Sequence, residues 1–204
     1  MKRVITIDGP SGVGKTTIGQ EIASYLGYSF FSSGKLYRYI AKYSIDENSK
    51  KFNEFDLKIN QSADCYINNK NYNDEELYNK NINKQSSEIA KDPLVREIIK
   101  YTLLNYYENI NTGLVIEGRD MGSVVFPNAD LKLYLDADEE TRGERRESQS
   151  GSQETVEEIK ERDHKDMHRD ASPLIIPKDA LVIDNTNKTK DETVEVIIKK
   201  LELL

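Results

Sequence analysis

A short stretch near the start of the chain carries residue types that suit phosphate chemistry. It reads Gly9-Pro10-Ser11-Gly12-Val13-Gly14-Lys15-Thr16-Thr17 and matches the pattern G-x-x-x-x-G-K-[ST]. Such a loop points backbone N–H groups at the phosphates of a nucleotide, and Lys15 adds positive charge near the β- and γ-phosphates. The hydroxyl of Thr16 is the expected ligand of Mg²⁺. The stretch therefore predicts a nucleotide-binding loop, and a glycine-rich turn without a ligand is the alternative.

The segments on either side of this loop are of the kinds that position it. Val4-Ile5-Thr6-Ile7 is an apolar run that predicts a buried strand, and the residues from Thr17 to Leu26 predict a helix. A helix that begins at the loop presents unpaired N–H groups and the positive end of its dipole to a phosphate. The order of strand, loop and helix therefore favours the phosphate-binding interpretation.

Strands and helices alternate along the rest of the chain. Apolar runs predict strands at about 3 to 7, 28 to 31, 114 to 117, 131 to 136 and 181 to 184, with helices between them. This alternation predicts an α/β fold, a doubly wound parallel sheet of five strands with helices on both faces. We expect residues 1–204 to form one domain.

The segment from Asp46 to about Asn83 differs from this frame, because it is rich in Asn, Lys, Asp and Glu. Its short alternating pieces predict a small hairpin-like insertion that lacks a core of its own. Two interpretations stay open: a flap that closes over a substrate, and a surface elaboration.

Several charged residues lie where a parallel sheet presents its chemistry, at the carboxyl ends of its strands. Glu117-Gly118-Arg119-Asp120 ends a predicted strand, and Arg38 lies near the start of a predicted helix. Arg96 lies off the apolar stripe of the helix that begins at Pro93. Arg38 is a candidate ligand of a phosphate, Arg96 is a candidate ligand contact, and the segment with Arg119 is expected to face a polar ligand; a solvated surface charge is the alternative for Arg38 and Arg96.

Two further helices are predicted to carry arginines toward a polyphosphate. Arg142, Arg145 and Arg146 fall at spacings i, i+3 and i+4, and Arg162, Asp166 and Arg169 fall at i, i+4 and i+7. The polar link over residues 148–153 joins these helices and is predicted to be mobile. The pair predicts a helical lid that excludes water from phosphoryl transfer, although the first cluster also fits ordinary surface charge.

Composition limits the classes of partner. Of the 204 residues 37% are hydrophobic and 32% charged, and the formal net charge is −7. An acidic chain does not suit a general binder of nucleic acid or of an anionic membrane, so positive charge must be focused locally. With a lone Cys65, no leader-like start and no long apolar run, we expect a cytoplasmic protein without disulfides. No apolar interface stripe is visible, so a monomer is expected.

The loop and the arginines together favour a kinase over a switch or a motor ATPase. Two phosphate groups must meet in such a site, and their negative charges require several guanidinium groups. A phosphate acceptor is already ionised at neutral pH and needs no base, which points to a nucleoside monophosphate as the acceptor.

His164 and His168 lie at i, i+4, the spacing of the two histidines in a zinc-binding helix. The sequence lacks the Glu and the third ligand of such a site, so a zinc site is not expected here.

Four segments in this order resemble the bacterial cytidylate kinase (CMP kinase) family, within the P-loop nucleoside monophosphate kinases. They are Ile7-Asp8-Gly9-Pro10-Ser11-Gly12-Val13-Gly14-Lys15, Ser33-Gly34-Lys35-Leu36-Tyr37-Arg38, Glu117-Gly118-Arg119-Asp120-Met121-Gly122-Ser123-Val124-Val125-Phe126-Pro127, and Glu161-Arg162-Asp163 through Arg169 to Ser172-Pro173-Leu174. The segment that ends in Phe126-Pro127 is far more specific to that family than the phosphate-binding loop.

The resemblance implies transfer of the γ-phosphoryl group of ATP to CMP, and often dCMP, with Mg²⁺, in pyrimidine nucleotide metabolism. It implies that Arg38 and Arg119 hold the acceptor phosphate, with Tyr37 in the substrate site. It implies that cytosine is read by Ser33, Arg96, Asp120 and Arg169, and that the pentose hydroxyls are held by Ser87, Arg162 and Asp166. The expected catalytic residues are Lys15, Arg119, Arg142 and Arg146, although spacing does not assign which lid arginine reaches the transferring phosphoryl group.

The resemblance also sets the expected limits of the parts: a CMP-binding insertion at about 46–92 and a lid at about 142–160. The family usually has Asp where this chain has Ser32 and Glu117. Loss of a carboxylate at Ser32 predicts weaker positioning of the acceptor and the same reaction. The alternatives are a related small kinase for another acceptor, and a nucleotide-binding regulator without turnover.

Overall fold

The computed structural model describes residues 2–148 and 155–202. The chain forms two compact units. The core unit comprises Met1–Ser32, Asn111–Gln149 and Glu154–Leu204, and the second unit comprises Ser33–Ile110 among the described residues. Part of the predicted lid and most of the predicted polar link lie outside the described residues. The predicted single domain over residues 1–204, with its insertion and lid, stays a prediction.

The core unit contains a parallel sheet of five strands. Its order is β2-β5-β1-β6-β7, with parallel pairing between all neighbours. The strands are β1 (Val4–Asp8), β2 (Ser29–Ser32), β5 (Leu114–Gly118), β6 (Leu131–Asp136) and β7 (Leu181–Asp184). Each lies within one residue of its predicted limits, and the predicted fold class is confirmed.

Four α-helices and a π-helical turn accompany this sheet. They are α1 (Lys15–Leu26), α6 (Glu139–Ser148), α7 (Val156–His168), α8 (Lys190–Leu201) and the π-helix Met121–Val125. Ile22 of α1 and Ile197 of α8 are fully buried and belong to one apolar cluster with Ile7 and Leu133 of the sheet. Apolar burial therefore fixes α1 and the sheet on which the phosphate-binding loop depends.

Strand register brings three polar side chains to one edge of the sheet. Asp8 pairs with Gly118, and both Ile7 and Ser32 pair with Glu117. The carboxyl ends of β1, β2 and β5 therefore lie side by side. This is the edge at which an open α/β sheet binds its ligands.

The second unit combines helices with a small antiparallel hairpin. Its elements are α2 (Gly34–Asp46), a 3₁₀ turn (Phe52–Glu54), β3 (Leu57–Ile59), β4 (Cys65–Ile67), α3 (Asp74–Leu77), α4 (Lys80–Ile89) and α5 (Pro93–Asn109). Asp92 caps α5, because its side chain accepts from the N–H groups of Leu94 and Val95, and Pro93 follows it.

The predicted hairpin-like insertion is present, and its buried residues belong to a core that it shares with α2 and α5. Cys65, Ile67 and Leu77 are fully buried. The hydroxyl of Thr102 in α5 donates to the carbonyl of Leu57 in the hairpin at 3.4 Å. Composition did not show this core, because α2 and α5, which the prediction assigned to the surrounding frame, belong to the same compact unit.

No helix within residues 2–148 and 155–202 has the length and apolar character needed to cross a membrane.

Candidate active site

The segment from Gly9 to Gly14 connects β1 directly to α1, which begins two residues before the predicted Thr17, and the predicted order of strand, loop and helix is confirmed. Gly9 passes so close to β6 that a Cβ atom would lie 2.1 Å from the carbonyl oxygen of Leu135. Gly12 and Gly14 have φ values of +80° and +86°, in the left-handed region that favours glycine. The glycines therefore allow a tight loop against the end of the sheet, and α1 begins at Lys15.

Lys15 is buried at the start of α1, with 6% of its surface exposed. Its Nζ donates to the carbonyl oxygen of Pro10 across the loop, at 2.5 Å. Burial, followed by the positive charge of Arg119, lowers the pKa of Lys15 from 10.5 to about 7. The side chain of Lys15 is therefore close to half protonated at pH 7, and its charge depends on its burial and on the charged groups beside it.

Three arginines of the core unit meet the loop at Ser11. Arg119 donates from Nη2 to Ser11 Oγ at 2.9 Å, and Arg162 donates to the same oxygen from Nε at 3.1 Å and Nη2 at 2.7 Å. Arg142 donates from Nη1 to the backbone oxygen of Ser11 at 3.1 Å. The arginines that the sequence places on three separate elements thus lie together at the phosphate-binding loop.

Two carboxylates of α7 lie among these guanidinium groups. Asp166 accepts from Arg119 Nε at 3.0 Å and from Arg169 Nη1 at 2.8 Å. Asp163 forms a buried ion pair with Arg142. The sequence prediction included Asp166 but missed Asp163, although it follows Arg162 directly. Its partner Ser11 is 152 positions away in sequence, so spacing along α7 gave no signal for it.

Glu117 joins the loop to the neighbouring strand. Its Oε1 accepts from Thr16 Oγ1 at 3.1 Å and from Ser32 Oγ at 2.5 Å. The short Ser32 side chain and the long Glu117 side chain therefore form a direct hydrogen bond.

Asp8 is a further polar residue that the prediction did not assign. Its fully buried carboxylate accepts from the N–H of Met121 at 2.9 Å and of Gly122 at 2.7 Å, at the start of the π-helix. Burial outweighs these bonds and raises the pKa of Asp8 from 3.8 to about 6. Asp8 thus anchors the segment that follows Arg119 and Asp120, and Asp120 is itself buried.

The other two arginines of α6 differ in what is described of them. Arg145 donates to the side-chain and backbone oxygens of Asn185 at 2.9 and 2.8 Å, and Asn185 donates to the carbonyl of Val13 in the loop at 2.8 Å. The side chain of Arg146, a predicted catalytic residue, lies outside the described residues. Its predicted role stays a prediction.

The second unit holds the other predicted substrate residues. Arg38 donates to Asn83 Oδ1 at 3.1 Å and to the carbonyl of Gly34 at 2.9 Å, and its guanidinium lies 4.7 Å from the centre of the Tyr78 ring. Arg96 donates to the hydroxyl of Tyr37 at 3.1 Å.

Two serines complete the predicted set in this unit. Ser33 is buried immediately before α2. The hydroxyl of Ser87 is buried and has no hydrogen-bond partner within the described ranges, as expected for a group that binds a ligand.

Among residues 2–148 and 155–202, no group of three His, Cys, Asp or Glu side chains is arranged to hold a metal ion. Thr16 and Glu117 nevertheless bring a hydroxyl and a carboxylate together at the start of α1. These are the hard oxygen donors that Mg²⁺ prefers, and Mg²⁺ in nucleotide sites takes most of its other ligands from phosphates and water. The residues present therefore fit a magnesium ion.

The parallel sheet, the loop between β1 and α1, and the arginines gathered at Ser11 define a P-loop protein equipped for phosphate chemistry. Solved structures support this fold. TT1252 from Thermus thermophilus has a TM-score of 0.59 at 17% identity, covering 100% of this chain and 98% of that one. Shikimate kinase from Bacteroides thetaiotaomicron has a TM-score of 0.52 at 13% identity, covering 98% of each chain.

Sequence comparison is more specific. The model of the cytidylate kinase family matches residues 5–203. A cytidylate kinase of Mesomycoplasma hyopneumoniae is 37% identical over 211 residues, covering 96% of this chain and 91% of the relative. A cytidylate kinase of Thermodesulfovibrio yellowstonii is 34% identical, covering 98% of each. The chain belongs to the cytidylate kinase family, and the resemblance of its four sequence segments is confirmed.

Proposed function

We propose that the protein transfers the γ-phosphoryl group of ATP to CMP, giving CDP and ADP, and that it also accepts dCMP. Membership of the cytidylate kinase family supports CMP as the acceptor. The observation that carries the proposal is the meeting of Arg119, Arg142 and Arg162 at Ser11 of the loop. An acidic chain that gathers guanidinium groups at its P-loop is suited to two phosphate groups that repel each other.

The core unit supplies the groups for ATP. Backbone N–H groups of the loop and the N-terminus of α1 bind the β- and γ-phosphates, and Lys15 neutralises charge on them. Guanidinium groups beside the loop stabilise the charge on the equatorial oxygens of the transferring phosphoryl group. The acceptor phosphate is already ionised, so no residue has to remove a proton from it.

Mg²⁺ is the proposed metal cofactor. Thr16 would supply a direct ligand, and Glu117 would accept hydrogen bonds from the hydroxyl of Thr16 or from water on the ion. Held there, the ion would supply positive charge to offset the negative charge that develops on the transferring phosphoryl group.

The acceptor residues are proposed for each unit separately. In the core unit, Arg119 binds the CMP phosphate, Arg162 and Asp166 bind the pentose hydroxyls, and Asp120 and Arg169 contact cytosine. In the second unit, the proposed acceptor residues are Arg38 for the phosphate, Ser87 for the pentose, and Ser33 and Arg96 for cytosine, with Tyr37 in the substrate site. Cytosine carries an amino donor that matches a carboxylate and ring acceptors that match a guanidinium, which supports Asp120 and the arginines as its readers.

A coupled assay of ATP consumption with CMP, dCMP, UMP and AMP tests the proposal. We expect turnover with CMP and dCMP and much less with AMP. Turnover only with another acceptor would indicate a related small kinase, and nucleotide binding without turnover would indicate a regulator.

Asp120→Ala sharpens this test, with Asp170→Ala at an exposed acid as the matched control. Asp120→Ala is expected to reduce the preference for CMP over UMP more than it reduces maximal activity, because it removes the carboxylate that accepts from the cytosine amino group. Asp170→Ala is expected to change neither. Equal losses with CMP and UMP in the Asp120 variant would reject this role.

We further propose that the protein acts in pyrimidine nucleotide metabolism in the cytoplasm. It is proposed to be a monomer without a nucleic-acid or membrane partner. The net charge of −7 supports the absence of a nucleic-acid partner.

A further inference from the structure

Asp163 has no part in the proposed chemistry, yet it is one of the most buried charged residues of the core unit. Only 3% of its surface is exposed. Its Oδ1 accepts from the backbone N–H of Ser11 at 2.9 Å, and its Oδ2 pairs with Arg142. A buried carboxylate is costly unless it is paired and hydrogen-bonded, so its contacts indicate what it is for.

These contacts form a closed ring around one residue of the P-loop. Asp163 accepts from the N–H of Ser11, Arg142 donates to the carbonyl oxygen of Ser11 at 3.1 Å, and the two charged side chains bond to each other. Arg142 also donates from Nε to the carbonyl of Ala137 at 3.2 Å, which ties the ring to the end of β6. Both backbone polar groups of Ser11 are therefore held by the same ion pair.

The ring also fixes the approach of α6 to the loop. A Cβ atom on Gly12 would lie 2.6 Å from the backbone oxygen of Arg142. The backbone of α6 is thus in direct contact with the loop one residue after Ser11. Loop, α6 and α7 meet at this one ion pair.

We propose that Asp163 is a positioning residue for the nucleotide site, which acts through Arg142 to hold the P-loop backbone at Ser11 in its phosphate-binding conformation. Arg142 then serves the loop, and its predicted catalytic role at the transferring phosphoryl group stays a prediction. A loop held in advance binds phosphate without first having to be ordered.

The inference rests on the proposed function, because it assumes that the loop binds the phosphates of a nucleotide. We expect loss of the pair to weaken ADP binding at the P-loop and to leave CMP binding nearly unchanged. A general loss of structure would weaken both.

Direct titration with ADP and with CMP separates these outcomes for the parent and three variants. Asp163→Asn keeps an acceptor for Ser11 but removes the charge that holds Arg142. Arg142→Lys keeps a charge beside Asp163 but lacks the fork that also reaches Ser11. Glu139→Gln is the matched control, because Glu139 and Lys160 form an exposed ion pair between the same two helices at 2.8 Å without contacting the loop.

Asp163→Asn is expected to weaken ADP binding by about 10- to 100-fold, the range for a lost charge-assisted hydrogen bond. Arg142→Lys is expected to weaken ADP binding as well, and CMP binding should change by no more than about 3-fold in either variant. Glu139→Gln should bind both ligands as the parent does.

Three results would overturn the inference: ADP binding at parental strength in Asp163→Asn or Arg142→Lys, equal losses of ADP and CMP binding, or an equal effect of Glu139→Gln. If Asp163→Asn does not fold, Arg142→Lys decides the question, because it retains the buried charge pair. Absence of ADP binding in the parent would reject the proposed function itself, a result distinct from these three.

Discussion

The low pKa of Lys15 predicts that nucleotide binding takes up a proton. Burial and Arg119 lower the pKa of this lysine to about 7. Phosphate groups beside the lysine favour its charged form and raise its pKa in the complex. Above pH 7 the protein must therefore bind a proton together with the nucleotide, and its affinity for ADP falls as pH rises.

The size of the effect follows from the fraction of protein that already carries the proton. With a pKa of about 7, roughly a quarter of Lys15 is protonated at pH 7.5 and about 1% at pH 9, so ADP binding should weaken by about 10- to 25-fold over that interval. The phosphates of ADP, with a last pKa of about 6, are fully ionised throughout and contribute little to the change.

Calorimetric titration with ADP at pH 7.5 and pH 9, in buffers of different ionisation enthalpy, measures both the affinity and the proton uptake. Lys15→Arg is the matched control, because a guanidinium stays charged across this range. It is expected to bind ADP more weakly than the parent but with little dependence on pH. An ADP affinity of the parent that does not change with pH, or the same pH dependence in Lys15→Arg, would refute the reasoning.

The same shift has a consequence for stability that requires no nucleotide. Between pH 7 and 10.5 Lys15 is protonated in the unfolded chain and largely neutral in the folded one, so its contribution to the free energy of unfolding rises with pH. Relative to Lys15→Met, the parent should gain roughly 2 kcal/mol between pH 7 and pH 9, as measured by urea unfolding. A difference that does not change with pH would show that the lysine is charged in the folded protein.

Three further perturbations test other parts of the core unit. Asp8 has its pKa raised to about 6, so its ionisation costs stability as pH rises from 4 to 6. The free energy of unfolding of Asp8→Asn minus that of the parent should therefore be about 2 kcal/mol larger at pH 7.5 than at pH 4, and equal differences at the two pH values, measured by urea unfolding, would contradict this. Gly12→Ala should abolish most ADP binding, because its Cβ would lie 2.6 Å from the backbone of α6. Gly27→Ala is the control: its φ is +65° but nothing lies within 4 Å of the added Cβ, so it should cost only about 1 kcal/mol of stability in the same urea-unfolding assay. Glu117→Gln should raise the Mg²⁺ concentration needed for half-maximal activity by several-fold, because the hydroxyls of Thr16 and Ser32 lose a charged acceptor. An unchanged Mg²⁺ requirement would reject a role for this carboxylate near the ion.

Much of the core unit could be predicted because its signals are local in sequence. The five strands are short apolar runs, and the loop has a fixed spacing of glycines and a lysine. The core of the second unit was missed because its buried residues, such as Cys65 and Leu77, come from a polar segment that packs with α2 and α5. Composition averages over that segment and does not show which of its few apolar residues turn inward.

Asp163 was missed for a different reason. Periodicity on α7 placed Arg162, Asp166 and Arg169 on one face, but a second carboxylate beside Arg162 fits an ordinary exposed helix equally well. What makes it functional is its contact with Ser11, which is 152 positions away in sequence. Spacing along one helix carries no information about such a contact.

The placement of the carboxylates explains how so much positive charge can gather beside one loop. Arg119 and Arg162 share the hydroxyl of Ser11, and guanidinium groups this close repel each other when no counter-charge is present. Asp163 and Asp166 lie between them and their neighbours and accept hydrogen bonds from Arg142, Arg119 and Arg169. The carboxylates therefore hold these three guanidinium groups in fixed directions while leaving the cluster positive.

A fixed cluster of this kind is more useful for phosphoryl transfer than the same charges on mobile side chains. Donors that are already oriented need no reorganisation when charge develops on the transferring group, so their full interaction is available in the transition state. This reasoning predicts that Asp166→Asn, which loosens Arg119 without removing any positive charge, lowers kcat more than it raises KM for ATP. Single-turnover measurements with saturating ATP and CMP separate the chemical step from binding, and an unchanged rate of that step would show that the direction of Arg119 does not depend on Asp166.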